Sequence, residues 1–348
     1  MSASPSSAKG RCLTATTGPR TADCPRVLAS LTRHQVLWYL IAIVTGALIG
    51  LGQPVASSLA TTAITPCLIA LLFVTFLDIP FDAVRVSFTD MKFLGAVTLV
   101  NFLIVPLIVA GLYAIMPPAQ PIILPVLIVL LTPCIDYVLV FTRSAGGDHV
   151  SLLALTPVLM LVQIILLPVY LWIILGTTAV GPIAPGPFIA ALVIFILLPL
   201  GTSVVVRLLS RRSTVADRCV QSVSGSMVPM MMLTLAVIAA AQVPLIASHL
   251  SDLGGAVATF VVFAIIMTCL GAILARVLPL SVGQGRSLVF TAVTRNSLVM
   301  LPIVRAMTAD GIGPSTVVAQ TIVELVFMLL LVRLVPRILP DTAVSENR

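Results

Sequence analysis

Ten long apolar runs, parted by short polar or basic stretches, set the pattern of this chain. They cover residues 36–53, 56–79, 93–116, 120–142, 151–175, 185–208, 222–245, 254–278, 286–307 and 314–336. Crossing the hydrocarbon core of a bilayer takes about 20 apolar residues in a helix, so each run reads as a span. The expected fold class is an all-α polytopic membrane protein with ten transmembrane helices. Length alone, at 348 residues, suggests two soluble domains; the apolar runs override it.

The polar residues between the runs set the orientation. One set of loops holds Lys9, Arg11, Arg20, Arg26 and Arg33, then Arg85 and Lys92, then Arg143. It continues with Arg207, Arg211, Arg212 and Arg218, with Arg276 and Arg286, and with Arg333, Arg337 and Arg348. The alternate loops, near residues 54, 118, 180, 250 and 310, hold no Lys or Arg between the runs. By the positive-inside rule both termini are cytoplasmic and the expected location is the plasma membrane. Only Arg295 and Arg305, both in the ninth run, stand outside the set.

Composition sharpens the class. The chain is 59% hydrophobic and 9% charged, against roughly 25% charged in soluble domains, which excludes an ordinary soluble enzyme and a disordered chain. The net charge of +7 is spread among loop anchors, with no basic, aromatic groove for nucleic acid. The six cysteines lie in the tail, in apolar runs or in a basic loop, so reduced thiols are expected. Neither lysine ends a phosphate-binding loop and no hydrolase motif is present. We expect no enzyme activity and no cofactor. His34, His149 and His249 lie at run edges without metal-ligand spacing.

Ten spans fall into five plus five. Because five is odd, a second copy of the first half inserts upside down, the inverted repeat common among secondary transporters. We read residues 1–35 as a disordered cytoplasmic tail and 36–208 as a first half holding repeat 1, with its five spans, and the start of repeat 2. Repeat 2, also with five spans, covers 185–337, and 338–348 is a second cytoplasmic tail. The fourth run is interrupted by Thr132-Pro133-Cys134-Ile135-Asp136 and the ninth by Thr291-Ala292-Val293-Thr294-Arg295-Asn296-Ser297. These are corresponding places in the two halves, and paired interruptions point to a binding site near the bilayer midplane. Pro168 and Pro199, in plain apolar runs, read as ordinary kinks.

An ionisable group in a membrane costs about 2.5–3.5 kcal/mol on insertion scales, so the few present stand out: Asp136, Arg295 and Glu324. Asn101, Gln163 and Asn296 add uncharged polarity. Asp136 and Arg295, of opposite charge at matching breaks, are expected to pair where the broken helices cross; otherwise each reaches water or headgroups by itself, Arg295 by snorkelling. Glu324 has no basic residue near it in its own helix, and a desolvated carboxyl can carry a proton. Cys134 follows Pro133 at a break, where a thiol can meet a soft metalloid; elsewhere in an apolar helix a Cys is a small hydrophobe. A second Thr-Pro-Cys, Thr65-Pro66-Cys67, leaves a two-thiol site conceivable.

With Pro133-Cys134 in the fourth span and Asn296 in the ninth, residues 36–337 resemble the bile acid/arsenite/riboflavin transporter superfamily, and in particular its arsenite permease branch. That branch carries a functional Cys after a proline in the fourth helix and a functional Glu in the last, matched here by Pro133-Cys134 and Glu324. The resemblance implies a secondary transporter with broken, crossing fourth and ninth helices. Thr132, Pro133 and Thr291 shape the breaks, Cys134, Asp136, Arg295 and Asn296 bind substrate, and Glu324 couples the ion. It implies efflux of trivalent arsenite or antimonite in exchange for protons, with sodium as the alternative coupling ion. The sodium-coupled branch places a Glu and a Gln-Asn pair where this chain has Thr291 and Arg295-Asn296, and the Arg295 cation would repel sodium. Arg295 would suit an anion, so the alternative function is an ion-coupled organic-anion transporter with Arg295 as receptor. A non-transporting sensor of the same fold is the third reading; the tails as given carry no signalling domain.

Overall fold

The structure, a computed structural model, describes residues 35–78, 90–115, 120–134, 138–179, 193–210, 225–248, 250–308 and 312–341, with 218, 220, 222 and 223. In chain order its helices are α1 (Gln35–Gly52), α2 (Pro54–Asp78), α3 (Met91–Leu99), α4 (Val105–Ile115), α5 (Gln120–Leu130), α6 (Val138–Ser144) and α7 (His149–Ala179). Then follow α8 (Leu198–Ser210), α9 (Met227–Ser248), α10 (Leu250–Val277), α11 (Val282–Val293), α12 (Ser297–Met307) and α13 (Ile312–Ile338). Of the expected tails, 1–35 and 338–348, residues 1–34 and 342–348 lie outside the described residues, while Gln35 begins α1 and Leu339 is buried. The protein is an all-α polytopic membrane protein. Five helical stretches among the described residues are individually long and apolar enough to cross a bilayer: Pro54–Leu77, Met91–Ile115, Met227–Pro244, Leu253–Val277 and Ile312–Ile338.

In lipid, apolarity cannot distinguish a packed helix face from an outer one, so residue size does. Gly46 and Gly50, one turn apart on α1, face Ala236 and Ala240 of α9. A Cβ at either glycine would lie 2.2 and 2.1 Å from the respective alanine carbonyl oxygens. Leu48, Leu59, Leu107, Ile165 and Trp172 are exposed, as an outer surface facing acyl chains requires. Helix α9 also packs on α2, α8 lies against α2, and α13 touches α5, α9, α10, α11 and α12.

Two π-helical turns precede prolines. Val100–Ile104 joins α3 to α4 before Pro106, and Val193–Leu197 leads into α8 before Pro199. Proline has no N–H for the carbonyl four residues back. At the first turn that carbonyl, of Phe102, instead accepts the Tyr170 hydroxyl at 2.6 Å. A widened turn also redirects its side chains, and here it buries Asn101. The second turn agrees with the kink expected at Pro199, while α7 continues through Pro168.

Segments predicted to share one side meet at one end of the bundle. Ser281 and Gln284 form a reciprocal cap on α11, and Gln284 Nε2 donates to Asp90 Oδ2 at 2.5 Å. Asp90 Oδ1 caps α3 through the Phe93 N–H at 3.1 Å. Arg286, 4% exposed, donates to the Leu339 carbonyl at 3.0 and 2.9 Å and to the Ala145 and Gly146 carbonyls at 3.3 Å. It also pairs with Asp341 at 3.1 Å. This grouping fits the arginine pattern that oriented the chain.

Candidate functional site

The two interrupted helices meet at their breaks. Helix α5 stops at Leu130 and α6 resumes at Val138; α11 stops at Val293 and α12 resumes at Ser297. Proline biases the residue before it away from helix, which ends α5 locally at Thr132-Pro133. Thr294 is extended, at φ −75°, ψ 136°. Pro133 and Arg295 form an antiparallel bridge. The Cys134 N–H donates to the Thr294 carbonyl at 3.3 Å, and the Asn296 N–H donates to the Thr132 carbonyl at 2.9 Å. Backbone groups that lipid cannot satisfy are thus satisfied by the other break.

This exchange leaves three carbonyls without their helical partners. In an α-helix each carbonyl accepts from the N–H four residues on. For Leu130 that N–H belongs to Cys134 and bonds Thr294; for Ala292 it belongs to Asn296 and bonds Thr132. For Thr291 it belongs to Arg295 and bonds Glu324 Oε2 at 2.8 Å. The Arg295 guanidinium meets all three oxygens. Its Nη2 lies 2.7 Å from the Thr291 oxygen and 2.8 Å from that of Ala292, and its Nη1 lies 3.4 Å from that of Leu130. Nη2 also donates to Asn101 Oδ1 at 3.0 Å. The Phe263 ring centroid lies 5.5 Å from Cζ, a cation–π distance. Arg295 is wholly buried. Two helix C-termini, those of α5 and α11, therefore direct the negative ends of their dipoles at one cation.

The opposite charge sits at the opposite kind of helix end. Glu324, 3% exposed on α13, accepts the Arg295 N–H immediately before α12, where the helix dipole is positive. Its Oε2 also accepts from Gln320 Nε2, and Gln320 Oε1 accepts from the Ser297 hydroxyl. A line of polar groups thus runs from the first residue of α12 along α13 to the carboxylate.

The expected site residues are largely brought together. Cys134 is buried at the crossing, and Thr132 is buried with its hydroxyl back-bonded to the Ile128 and Val129 carbonyls at 3.1 and 3.0 Å. Thr291 Oγ1 accepts from Asn101 Nδ2 at 3.3 Å. Asn296 is buried, and its Nδ2 has no hydrogen-bond partner among the described residues. Asp136, and with it the expected pairing to Arg295, lies outside the described residues. Cys67 sits partly exposed on α2, and among the described residues no three His, Cys, Asp or Glu side chains cluster for a metal. A narrow cavity of about 210 Å³ opens beside the crossing, lined by Leu130, Phe263, Val293, Gln320 and Glu324 among others.

Sequence reasoning missed Gln320, Ser297 and Phe263 as members of this site. Gln320 lies four residues before Glu324, hence on the same helix face, and Ser297 follows the break directly; both signals were legible. Phe263 is one of many aromatic residues in apolar runs and carries none. Asn101 was singled out as polar, but its place beside Arg295 depends on the π-helical turn.

The sodium bile acid symporter family matches residues 65–249, which include the first break and stop short of Arg295 and Glu324. No curated protein matches the chain. The matched stretch is just over half of the 348 residues and runs through helices α2 to α9, including the break that supplies one half of the crossing. On that match, the chain belongs to the sodium bile acid symporter family.

Proposed function

We propose that the protein exports trivalent arsenite or antimonite across the plasma membrane, from the side bearing both termini, in exchange for protons. The observation that carries this reading is the convergence of Cys134 and Glu324 on one crossing of broken helices. Cys134 is the soft ligand for a thiophilic solute. Glu324 takes up and releases the coupling proton, and the buried Asn296 amide supplies a donor to the solute oxygen. Arsenite is uncharged near neutral pH, so moving it against its gradient requires a coupled ion.

The family's description favours a second reading, sodium-coupled transport of an organic anion with Arg295 as receptor. Against it, the Arg295 guanidinium is bonded to four internal oxygens and buried from solvent. Binding a carboxylate there would require it to leave them. Everted vesicles separate the readings. Arsenite uptake driven by a proton gradient and lost in Cys134→Ser supports metalloid efflux. Sodium-driven uptake of a bile acid, unaffected by Cys134→Ser, replaces that reading with the second.

A further inference from the structure

We infer that Arg295 fills a monovalent-cation site: its guanidinium is a tethered ion held where two helix ends would otherwise bind a free cation. The carbonyl oxygens of Leu130, Thr291 and Ala292 are orphaned because their helical N–H partners are used across the crossing and by Glu324. Asn101 Oδ1 completes a set of four oxygens around the guanidinium. Carbonyls of unwound helix and the C-termini of half-helices are the groups that coordinate sodium inside membrane transporters. A buried carbonyl without a donor is unfavourable, and the dipoles of the two helix C-termini favour a cation as that donor whether or not the protein moves one.

A tethered cation never leaves. It dissipates no ion gradient at this position, and it fixes a positive charge at the ends of α5 and α11. The crossing is therefore held together at any sodium concentration, and an ion that couples transport must be taken up elsewhere in the site. Removing the side chain while leaving the oxygens turns the crossing into a site for a free ion. The inference stands whatever the substrate, because the oxygen set and its occupant are internal to the fold.

The test uses the full purified chain and thermal unfolding, with sodium, potassium or dilute guanidinium chloride each compared with choline chloride at equal ionic strength. Arg295→Ala should gain about 2–4 °C from sodium or guanidinium over choline, the size expected of a ligand present at about ten to a hundred times its dissociation constant. The wild type should show no such difference. An Arg295→Ala protein that responds to every salt alike overturns the inference, as does a wild type that gains as much as the variant. Should Arg295→Ala not be isolable in any salt, Arg295→Lys and Arg295→Met decide. An ammonium should preserve the folded protein where the apolar side chain does not, and equal behaviour of the two overturns the inference.

Discussion

Arg295 and Glu324 are joined through one backbone position: the N–H of the residue that carries the cation donates to the carboxylate. The side chain of that residue holds the carbonyls that this arrangement leaves open. Asn101→Leu, close in shape, removes the Oδ1 acceptor from a buried charged donor. It should cost about 1–3 kcal/mol, seen as a lowered midpoint in thermal unfolding. Asn101→Asp keeps the acceptor but loses the Nδ2 donor to the Val97 carbonyl and Thr291 Oγ1, and should unfold between Asn101→Leu and the wild type. Glu324→Gln retains an oxygen for the Arg295 N–H but cannot exchange a proton. It should remain folded while proton-driven uptake falls by about tenfold or more, the loss of roughly 1.4 kcal/mol of coupling or greater; unchanged gradient dependence would remove Glu324 from the coupling step. At this scale the charged residues were legible because an intramembrane charge is costly and therefore rare. The company they keep was less so: Gln320 follows from helical spacing, but the Phe263 ring under the guanidinium depends on how α10 packs, which no local pattern encodes.

Helix breaks and helix contacts obey different rules, and both can be tested. The breaks were readable from Thr132-Pro133 and from the polar run ending in Ser297, because backbone taken out of a helix must find partners inside protein. Their mutual bridge follows from the same need. The contact of α1 with α9 was not readable in the same way. Gly46-x-x-x-Gly50 has the spacing of a close-packing face, yet the spacing does not name its partner. Gly46→Val or Gly50→Val should force α1 from α9, with a loss of about 1–3 kcal/mol for each. Gly52→Ala, where a Cβ meets no described residue within 4 Å, should be tolerated. Yields of monodisperse protein after detergent extraction measure the difference; equal yields for all three would contradict the packing described.

For the whole molecule, the arginine pattern and the structure agree on which segments share an end. Asp90, Ala145–Gly146, Ser281–Arg286 and Leu339–Asp341 are linked by hydrogen bonds and an ion pair. Their assignment to the cytoplasm is an expectation that labelling can check. Gln53 and Arg143 are both exposed. A membrane-impermeant thiol reagent should label Gln53→Cys in intact cells and Arg143→Cys only in everted vesicles; the reverse pattern would invert the topology. The fold was legible at this scale because span length and loop charge are set by the bilayer itself. The substrate was not, because residues 65–249 tie the chain to a family while Arg295 and Glu324 lie beyond that match. Arsenic X-ray absorption on the purified protein with bound arsenite tests the central claim most directly, since it reads the atoms around the metalloid without requiring flux. The account predicts a sulfur neighbour in the wild type that disappears in Cys134→Ser. An oxygen-only shell in the wild type, or a sulfur signal that survives in Cys134→Ser, would contradict it.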